Sequence, residues 1–270
     1  MKKNNLNNGI TRSNSVSDAE TDGIIEGRNP VLEACRAGRK IDKLFVQKEQ
    51  DRLLGYIVAA ARENGAAIVE VDRKKLDIMS VTRAHQGVIA HIPAREYADF
   101  DEVVNEAVSS YAEDKGRPPL FVVCDGITDS NNLGGIIRTA EAAGAKAVVV
   151  QKRRSAGLTA VVSKVSAGAL EHMKVARVSN LTAALKKLKE NGFWIFGAAG
   201  EGESPLYSVN FNVPCVIVIG SEGEGISRLV LENCDYRVSI PMLGKVGSLN
   251  ASAAAAVVLY EAVRQRLQPF

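Results

Sequence analysis

The sequence predicts an α/β fold in two domains. Fully apolar runs of four or five residues, short enough to be strands buried on both faces of a parallel sheet, occur at Leu120–Cys124, Ala147–Val150 and Val216–Ile219. Amphipathic helical patterns separate these runs. A smaller alternation of strand-like and helix-like segments precedes them, between residues 23 and 93. Alternating strands and helices are the pattern of an α/β architecture, so each part is expected to form its own sheet.

Composition sets wide bounds on function. The chain has 270 residues, 46% of them hydrophobic, which is enough for one large or two medium domains. A net charge of +3 permits a polyanionic partner without requiring one. Residues 1–22 are polar, rich in Asn and Ser, and lack the apolar core of a secretion signal, so a disordered tail is expected. No apolar run approaches the roughly 20 residues that span a bilayer. These features predict a soluble cytoplasmic protein.

The cysteines indicate neither a disulfide framework nor a metal site. Cys35, Cys124, Cys215 and Cys234 are scattered, without a C-x-x-C pair and without a His at ligand spacing. We therefore expect reduced thiols in or near the core, and no metal.

The first domain is predicted to cover residues 23–93. Its predicted strands are Gly23–Glu26, Asp42–Gln47, Ala67–Val71 and Gly87–His91, and its predicted helices are Asn29–Ala37, Arg52–Asn64 and a short helix after Asp72. Residues 94–118 are charged and contain the amphipathic stretch Phe100–Tyr111, which suggests a linker.

The second domain is predicted to cover residues 119–270. Besides the three apolar runs it has strand candidates at Phe193–Phe196 and, more weakly, Arg237–Ile240. The predicted helices are Leu133–Ala143, Thr159–Ala169, Leu181–Asn191 and Asn250–Arg266. We expect helices on both faces of a parallel sheet.

Three polar clusters follow predicted strands of the second domain. They are residues 129–138, 220–225 and 240–252, and they share Asn, Arg, Glu, Ser and closely spaced Gly. In open α/β sheets, ligands bind at the carboxyl ends of the strands. The three clusters are therefore predicted to be separate walls of one site.

Each cluster taken alone has a simple structural explanation. Asn132 could cap a helix that starts at Leu133, Ser248 could cap the last helix, and Arg138 could be a solvated charge. Glycines could serve only the turns. The recurrence of the same residue types at three strand ends favours a site over three coincidences.

The sequence does not match several common Gly-rich and catalytic motifs. Gly220-x-x-Gly223-x-Gly225 is not the G-x-G-x-x-G of dinucleotide-binding folds, and the chain contains neither G-K-[ST] nor G-x-S-x-G. His85, His91 and His172 lie outside the clusters. A dehydrogenase, a P-loop nucleotidase and a Ser-His hydrolase are disfavoured.

The combined motifs resemble a known family. N-x-G-x-x-x-R (Asn132 to Arg138), G-x-E-x-x-G (Gly220 to Gly225) and I-P-M…S-L-N-x-S (Ile240 to Ser252) are similar, in order and spacing, to the three motifs of the SpoU (TrmH) branch of the SPOUT RNA methyltransferases. The likeness covers Leu120–Phe270. The segments Glu26–Ala34 and His85–Val88 resemble the L30e-like RNA-binding domain of this family.

The resemblance implies a fold and an activity. The fold would be a SPOUT α/β trefoil knot behind an L30e-like domain, with S-adenosylmethionine (AdoMet) bound in the knotted loops of a homodimer. The implied reaction is 2′-O-methylation of a guanosine ribose in the peptidyl-transferase loop of 23S rRNA.

Family roles map onto individual positions. The resemblance implies AdoMet contacts at Gly197, Gly220, Ile240 and Leu249, and catalytic or structural roles for Asn132, Arg138, Glu222, Ser248 and Asn250. The family often has Pro where this chain has Ser130, which loosens the turn.

The first-motif Arg of the family is usually proposed as the base. A guanidinium has a pKa above about 12, so we expect Arg138 instead to hold the target phosphate and stabilise the developing alkoxide. Asn132 and Glu222 would orient Arg138 and the ribose.

RNA contacts are expected mainly from the first domain and the surface between the domains. The candidates are Arg28, Arg36, Arg39, Lys40, Arg83 and the run Lys152–Arg153–Arg154. Three alternatives stay open: a tRNA D-loop guanosine, a 23S rRNA adenosine of the resistance type, and a non-catalytic RNA-binding or ribosome-assembly protein.

Overall fold

A computed structural model describes residues 23–93, 95–114, 116–200 and 204–267. The predicted disordered tail, residues 1–22, lies outside the described residues. Within them, no helix is long and apolar enough to cross a membrane.

The N-terminal domain has one mixed sheet with helices packed against it. Its elements are β1 (Ile24–Glu26), α1 (Arg28–Arg36), β2 (Lys43–Gln47), α2 (Arg52–Glu63), β3 (Ala67–Val71), α3 (Arg73–Met79) and β4 (Val88–His91). The strand order is β1-β4-β2-β3; β2 and β3 are parallel, and β4 is antiparallel to both of its neighbours. The predicted elements are confirmed to within one residue at most ends.

Helix α2 shows why these segments fold locally as predicted. The side chain of Asp51 caps the helix by accepting a hydrogen bond from the Leu54 amide at 3.0 Å. Leu54, Ile57, Val58 and Ala61 then recur at the spacing of one helical face, and all four are buried in the domain core.

The C-terminal domain is built on a seven-stranded parallel sheet. Its elements are α4 (Phe100–Asp114), β5 (Leu120–Asp125), α5 (Ser130–Ala142), β6 (Ala147–Gln151), α6 (Ala160–Val165), a 3₁₀ turn (Ala169–Glu171), β7 (Lys174–Val178), α7 (Leu181–Glu190), β8 (Trp194–Ala198), β9 (Ser204–Pro205), β10 (Cys215–Gly220), α8 (Arg228–Leu231), β11 (Tyr236–Ser239) and α9 (Ala251–Leu267). The strand order is β7-β6-β5-β10-β8-β11-β9.

The central strands are buried on both faces. In β5, Leu120, Val122 and Cys124 belong to the hydrophobic core on one face, and Phe121 and Val123 belong to the core on the other. Helices α5 and α9 cover the first face, and α4 and α7 cover the second. Since β5 and β10 are parallel neighbours, with Cys124 opposite Ile219, the polar loops that follow them start side by side.

Several segments differ from the predictions. The helix predicted for Thr159–Ala169 ends at Val165, and neither β9 nor α8 was predicted. Lys174–Val178 forms an edge strand that the sequence did not indicate, because its apolar residues are interrupted by Lys174 and Arg177. Helix α4 occupies most of the predicted linker and buries Val103, Val104 and Ala107 against the second domain's sheet. The boundaries at residues 93 and 119 stay predictions.

The start of α5 also changes the role of one site residue. Asp129, rather than Asn132, caps this helix, by accepting a hydrogen bond from the Asn131 amide at 2.8 Å. Asn132 is therefore inside the first turn of α5, where its side chain is buried.

The two domains are joined by polar contacts around α6 and the 3₁₀ turn. Lys164 Nζ donates to Thr82 Oγ1 and to the Ala84 carbonyl, both at 2.9 Å. The Glu171 carboxylate, whose side chain is only 3% exposed, pairs with Arg39 at 3.0 Å and with Arg95 at 3.1 Å. These contacts hold the N-terminal domain against the side of the C-terminal domain that carries α6.

Candidate active site

A cleft opens where β8, β10 and β11 end. It encloses about 700 Å³ of empty space, including its open mouth. Its walls are three stretches of chain that include Ala198–Gly200, Ile219–Glu222 with Gly225, Ile240, Met242, Gly247–Leu249, Ala251 and Ala254. The predicted residues Gly220, Glu222, Ile240, Ser248 and Leu249 all line it. Two of the three polar clusters, the second and the third, therefore form its walls.

The loop after β10 is closed tightly on itself. Ser221 and Gly225 exchange backbone hydrogen bonds of 3.1 and 2.9 Å. A Cβ atom on Gly220 would overlap the backbone of Gly225 and Ile226, so this position requires glycine. Asp125 Oδ2, at the end of β5, accepts from the Ser227 amide at 2.7 Å and ties the loop to the neighbouring strand.

One side chain from each polar cluster meets in a hydrogen-bonded group. Asn132 Nδ2 donates to Glu222 Oε1 at 3.1 Å, and Asn250 Nδ2 donates to Asn132 Oδ1 at 2.8 Å. Asn250 Nδ2 also contacts Glu222 Oε1. We call Asn132, Glu222 and Asn250 the amide–carboxylate group. It links the first cluster, on α5, to the rim of the cleft.

Asn250 also caps helix α9. Its Oδ1 accepts from the amides of Ser252 at 3.0 Å and Ala253 at 3.3 Å, and from Ser252 Oγ at 2.6 Å. The capping role that the sequence allowed for Ser248 thus falls to Asn250. Because Oδ1 is held by the helix, Nδ2 must point into the amide–carboxylate group.

Two predicted residues lie away from this group. Arg138 is exposed, and it follows Asn132 by six residues on α5, which places it about 9 Å farther along the axis and about 240° around it. It makes no hydrogen bond or ion pair with a described residue. Asn132 and Glu222 bond to each other and to Asn250, so within one chain they do not orient Arg138 as expected.

Gly197 is buried and does not line the cleft. A Cβ atom there would lie 2.8 Å from Cys234 Sγ, on the far side of β8 from the cleft-lining residues. The residues that follow it, Ala198 to Gly200, contribute to the wall instead. Glycine at this position serves the packing of the loop around Cys234.

Some of the candidate RNA contacts already form ion pairs within the protein, and others are exposed. Arg39 pairs with the buried Glu171 and is a domain-interface residue rather than an open RNA contact. Arg28 pairs with Asp51 at 2.6 Å, Arg36 with Glu33 at 2.7 Å, and Lys40 with Asp42 at 3.8 Å. Arg83 and Arg153 are exposed.

Asp125 is a site residue that the sequence reasoning missed. Its side chain is 4% exposed, and it fixes the loop that carries Glu222. A carboxylate that directly ends a buried apolar strand was the available signal.

The buried thiols and the histidines do not contribute a nucleophile or base to the cleft. Burial raises the pKa of the Cys124 thiol to about 12 and that of Cys215 to about 11. His85 is held by Asp77 at 3.0 Å and by the Gly87 amide at 3.0 Å, in the N-terminal domain. Throughout the described part of the chain, no cluster of His, Cys, Asp or Glu could hold a metal ion.

The cleft suits a nucleoside bearing a positive charge. Alanines, Ile219, Val238, Ile240 and Leu249 supply apolar walls for a flat ring, and backbone groups of the three loops surround them. Among the lining residues that the structure describes, Glu222 is the acidic one. An adenosine joined to a sulfonium, as in AdoMet, fits this set of walls and this charge.

Comparisons with known proteins give the same result. The model of the SpoU rRNA Methylase family matches residues 119–260, and the model described as RNA 2′-O ribose methyltransferase substrate binding matches residues 24–98. YacO, a putative TrmH family tRNA/rRNA methyltransferase of Bacillus subtilis, is 43% identical over 89% of this chain and 94% of its own.

Solved structures resemble the whole chain. The SpoU methyltransferase AviRb from Streptomyces viridochromogenes, in complex with AdoMet, is 25% identical with a TM-score of 0.77, over 93% of this chain and 92% of that one. An RNA 2′-O ribose methyltransferase is 29% identical with a TM-score of 0.75, over 93% and 91%. The predicted SPOUT fold with an N-terminal substrate-binding domain is confirmed. The chain belongs to the SpoU (TrmH) family, and it is an AdoMet-dependent RNA 2′-O-methyltransferase.

Proposed function

We propose that the protein methylates the 2′-hydroxyl of a guanosine in the peptidyl-transferase loop of 23S rRNA. The observation that carries this proposal is the amide–carboxylate group, which places fixed polar groups between the cleft and helix α5. The N-terminal domain supports a ribosomal target. A tRNA-modifying SpoU enzyme of A. aeolicus resembles only 63% of this chain, whereas relatives with the extra domain resemble over 90% of it.

The cofactor would lie against the loops that end β8, β10 and β11. Gly220, Ile240 and Leu249 contribute mostly backbone and apolar contacts, and Ala198–Gly200 take the place that Gly197 was expected to fill. When bound there, AdoMet supplies a methyl group activated by its sulfonium. The task left to the protein is to hold a ribose hydroxyl in line with that methyl and to manage its proton.

Glu222 and the two amides would position the ribose. Glu222 Oε1 is occupied by Asn132 and Asn250, whereas Oε2 has no partner among the described residues. Oε2 is thus free to accept a hydrogen bond from the 2′-hydroxyl. Alignment of two reacting groups can lower the barrier by up to about 7–11 kcal/mol. A positioned base accelerates the reaction roughly 10²–10⁴-fold, which is a smaller reduction of the barrier. Positioning is therefore the larger contribution.

Arg138 would bind the phosphate next to the target ribose and stabilise the developing alkoxide. A guanidinium is already protonated in proteins, so it donates hydrogen bonds and cannot take the proton. The proton would leave to water or to an RNA phosphate. The side chain has no protein partner in the described residues, so it is available for an RNA phosphate.

The working protein is proposed to be a cytoplasmic homodimer with a knotted C-terminal domain. All residues from Pro241 to Asn250 are exposed in a single chain, and Leu243 and Val246 are 100% and 70% exposed. A second copy would cover this apolar loop beside the cleft. Sedimentation equilibrium tests the dimer directly; a mass of one chain at micromolar concentration would contradict it.

One experiment distinguishes the proposed target from the alternative RNA targets. Ribose methylation is mapped across all RNA from cells with and without the gene. Loss of a single methylated guanosine in the peptidyl-transferase loop supports the proposal. Loss of a D-loop guanosine in tRNA, or of a 23S rRNA adenosine, would instead establish one of the alternatives. The purified enzyme should restore the missing methyl group on unmodified rRNA with AdoMet. The non-catalytic alternative is removed by membership in the methyltransferase family.

A further inference from the structure

A second concave site lies on the N-terminal domain, away from the AdoMet cleft. It encloses about 870 Å³, including its open mouth, where α1 and α3 begin, where β2 ends, and at the turn before β4. Among its lining residues the important ones are Arg28, Gln47, Leu53, Arg73, Gln86 and Gly87. We call it the amide pocket. Within the described residues, its lining includes two guanidinium groups and no carboxylate.

Two glutamine side chains in the pocket have fixed orientations. Gln86 Oε1 accepts from the Arg28 amide at 3.0 Å, which leaves Nε2 without a partner among the described residues. Gln47 Nε2 donates to the Glu49 carbonyl at 2.6 Å, which leaves Oε1 as an open acceptor. The pocket therefore presents one donor and one acceptor whose identities are set by the protein.

Gly87 leaves room for the Gln47 amide in the pocket. It adopts a φ of +85°, and a Cβ atom there would lie 2.6 Å from Gln47 Oε1. Any larger residue would push the Gln47 amide out of the pocket as well as strain the backbone. The glycine thus keeps the Gln47 amide in the pocket that Gln86 also lines.

The two arginines differ in mobility. The Arg28 guanidinium is held by Asp51 at 2.6 Å and by the Gln86 carbonyl at 3.1 Å, so its plane is fixed. A fixed guanidinium plane, like the exposed Leu53 beside it, is a surface on which a flat ring packs. Arg73 is exposed and has no hydrogen bond or ion pair with a described residue. It is an uncommitted cation at the edge of the pocket.

We propose that the amide pocket binds one unpaired nucleotide of the substrate RNA, remote from the methylated ribose. Gln86 Nε2 and Gln47 Oε1 contact the edge of its base, Arg28 and Leu53 pack against the ring, and Arg73 binds a phosphate. The nucleotide must be unpaired, because a base in a duplex does not expose its edge to such a pocket. The proposal rests on the proposed function in that the ligand is the RNA substrate.

The domain contacts relate this pocket to the cleft. Arg28 lies in the first turn of α1, and one turn later Glu33 contacts His172 of the catalytic domain at 3.2 Å. Glu33 also packs on Gly168, where a Cβ atom would overlap it. A nucleotide in the amide pocket would thus be held at a set distance from the AdoMet cleft, which selects RNAs by shape.

The test compares Gln86→Glu, Arg73→Ala and, as a matched control, Lys74→Ala. Gln86→Glu keeps the acceptor for the Arg28 amide and turns the free donor into an acceptor. Lys74 is an exposed cation of the same helix as Arg73, and it does not line the pocket. The probe is rRNA from cells that lack the gene, footprinted with reagents that modify the edges of unpaired bases.

For the wild type we expect protection of an unpaired base away from the methylation site. Gln86→Glu should lose this protection and weaken RNA binding by about tenfold. Arg73→Ala should weaken binding and lower the slope of log Kd against log salt by about one. Lys74→Ala should behave as wild type, and AdoMet binding by calorimetry should be unchanged in all three.

The two proposals fail in different ways. If the wild type methylates no rRNA, the proposed function is wrong. If the wild type methylates rRNA but Gln86→Glu retains the footprint and the wild-type Kd, the amide pocket is not a nucleotide site. Arg73→Ala guards against a misfolded Gln86→Glu, since an exposed side chain with no partner among the described residues can be removed without loss of structure. Arg73→Ala binding identical to Lys74→Ala in affinity and salt slope would also overturn the pocket assignment.

Discussion

At the scale of single residues, Asn250 connects the end of a loop, the start of a helix and the candidate catalytic group. Its Oδ1 caps α9 and its Nδ2 reaches Asn132 and Glu222. The two polar atoms of this amide therefore have separable functions. The oxygen mainly stabilises the protein by capping α9, and the nitrogen sets the geometry of the amide–carboxylate group.

Asn250→Asp should separate these functions. The variant keeps a capping oxygen, but it replaces the donor with an acceptor facing Glu222, so methyl transfer should fall at least tenfold with the helix retained. Adding Glu222→Gln supplies a donor opposite the introduced carboxylate and should recover part of the stability lost to carboxylate repulsion. Thermal unfolding and single-turnover methylation measure the two effects. Asn250→Ala, which also removes a cap worth about 1 kcal/mol, is the comparison. Wild-type turnover in Asn250→Asp would contradict the arrangement.

The sequence identified most site residues but not their partners. Asn132, Glu222 and Asn250 were named from motif resemblance, and they meet in the structure. The direction in which the Arg138 side chain points could not be predicted, because it depends on how α5 is oriented about its axis in the fold. The start of α5 was also misplaced: Asp129 caps the helix, which begins three residues earlier than expected. The pairing of Arg39 with Glu171, 132 residues away, depends on domain packing that leaves no local signal.

At the scale of elements, the buried strands were predictable and the edges were not. β5, β6 and β10 are apolar runs because helices cover both of their faces. β7 is an edge strand in which Lys174 and Arg177 are exposed, so its sequence lacks such a run. The segment predicted as a linker forms α4, whose short apolar stripe packs against several strands of the second domain's sheet.

Two helical glycines should respond oppositely to alanine. A Cβ atom on Gly134 of α5 would lie 2.7 Å from Val165 Cβ and 3.1 Å from the Val162 carbonyl oxygen, so α5 and α6 are in close contact there. Gly134→Ala should destabilise by about 1–3 kcal/mol through overpacking. On α2, Gly55 has no heavy atom within 4 Å of the added Cβ, and Gly55→Ala should stabilise by up to about 1 kcal/mol. Urea unfolding measures both; stabilisation by Gly134→Ala would contradict the packing described.

The buried thiols of β5 and β10 predict a loss of stability at alkaline pH. Burial raises the pKa of Cys124 to about 12 and of Cys215 to about 11, whereas an unfolded thiol has a pKa of about 8.5. Since the folded pKa is the higher one, this stability is fully present below the unfolded pKa and is lost as pH rises toward the folded value. Ionisation of each thiol should lower the free energy of unfolding by about 1–2 kcal/mol between pH 8 and pH 10.

Urea unfolding of the wild type and of Cys124→Ala at pH 8 and pH 10 tests the contribution of the thiol. The variant is expected to be less stable at both pH values, since it leaves a small cavity, but to lose less stability between them. Equal losses in the two proteins would show that the Cys124 thiol does not contribute to the alkaline transition.

At the scale of the whole molecule, the domain contacts and the proposed dimer both bear on the placement of Arg138. Lys164 ties α6 to the loop at Thr82, and α6 packs on α5, which carries both Asn132 and Arg138. These contacts connect the N-terminal substrate-binding domain, through α6, to the helix that presents Arg138. A single chain nevertheless leaves Arg138 exposed and apart from the amide–carboxylate group, on a different side of α5.

If the protein is a dimer, Arg138 should serve the cleft of the partner subunit. Arg138→Ala and Glu222→Ala should each abolish turnover, and both should retain the fold because both side chains are exposed. When the two variants are co-expressed, a mixed dimer has one cleft with its own Glu222 and with Arg138 from the other copy. At equal expression about half of the dimers are mixed, so activity should return to about a quarter of the wild-type value. Methylation of unmodified rRNA by the purified mixture measures this recovery, with each variant alone as the control. No recovery, despite mixed dimers isolated by two different affinity tags, would place Arg138 in the site of its own chain.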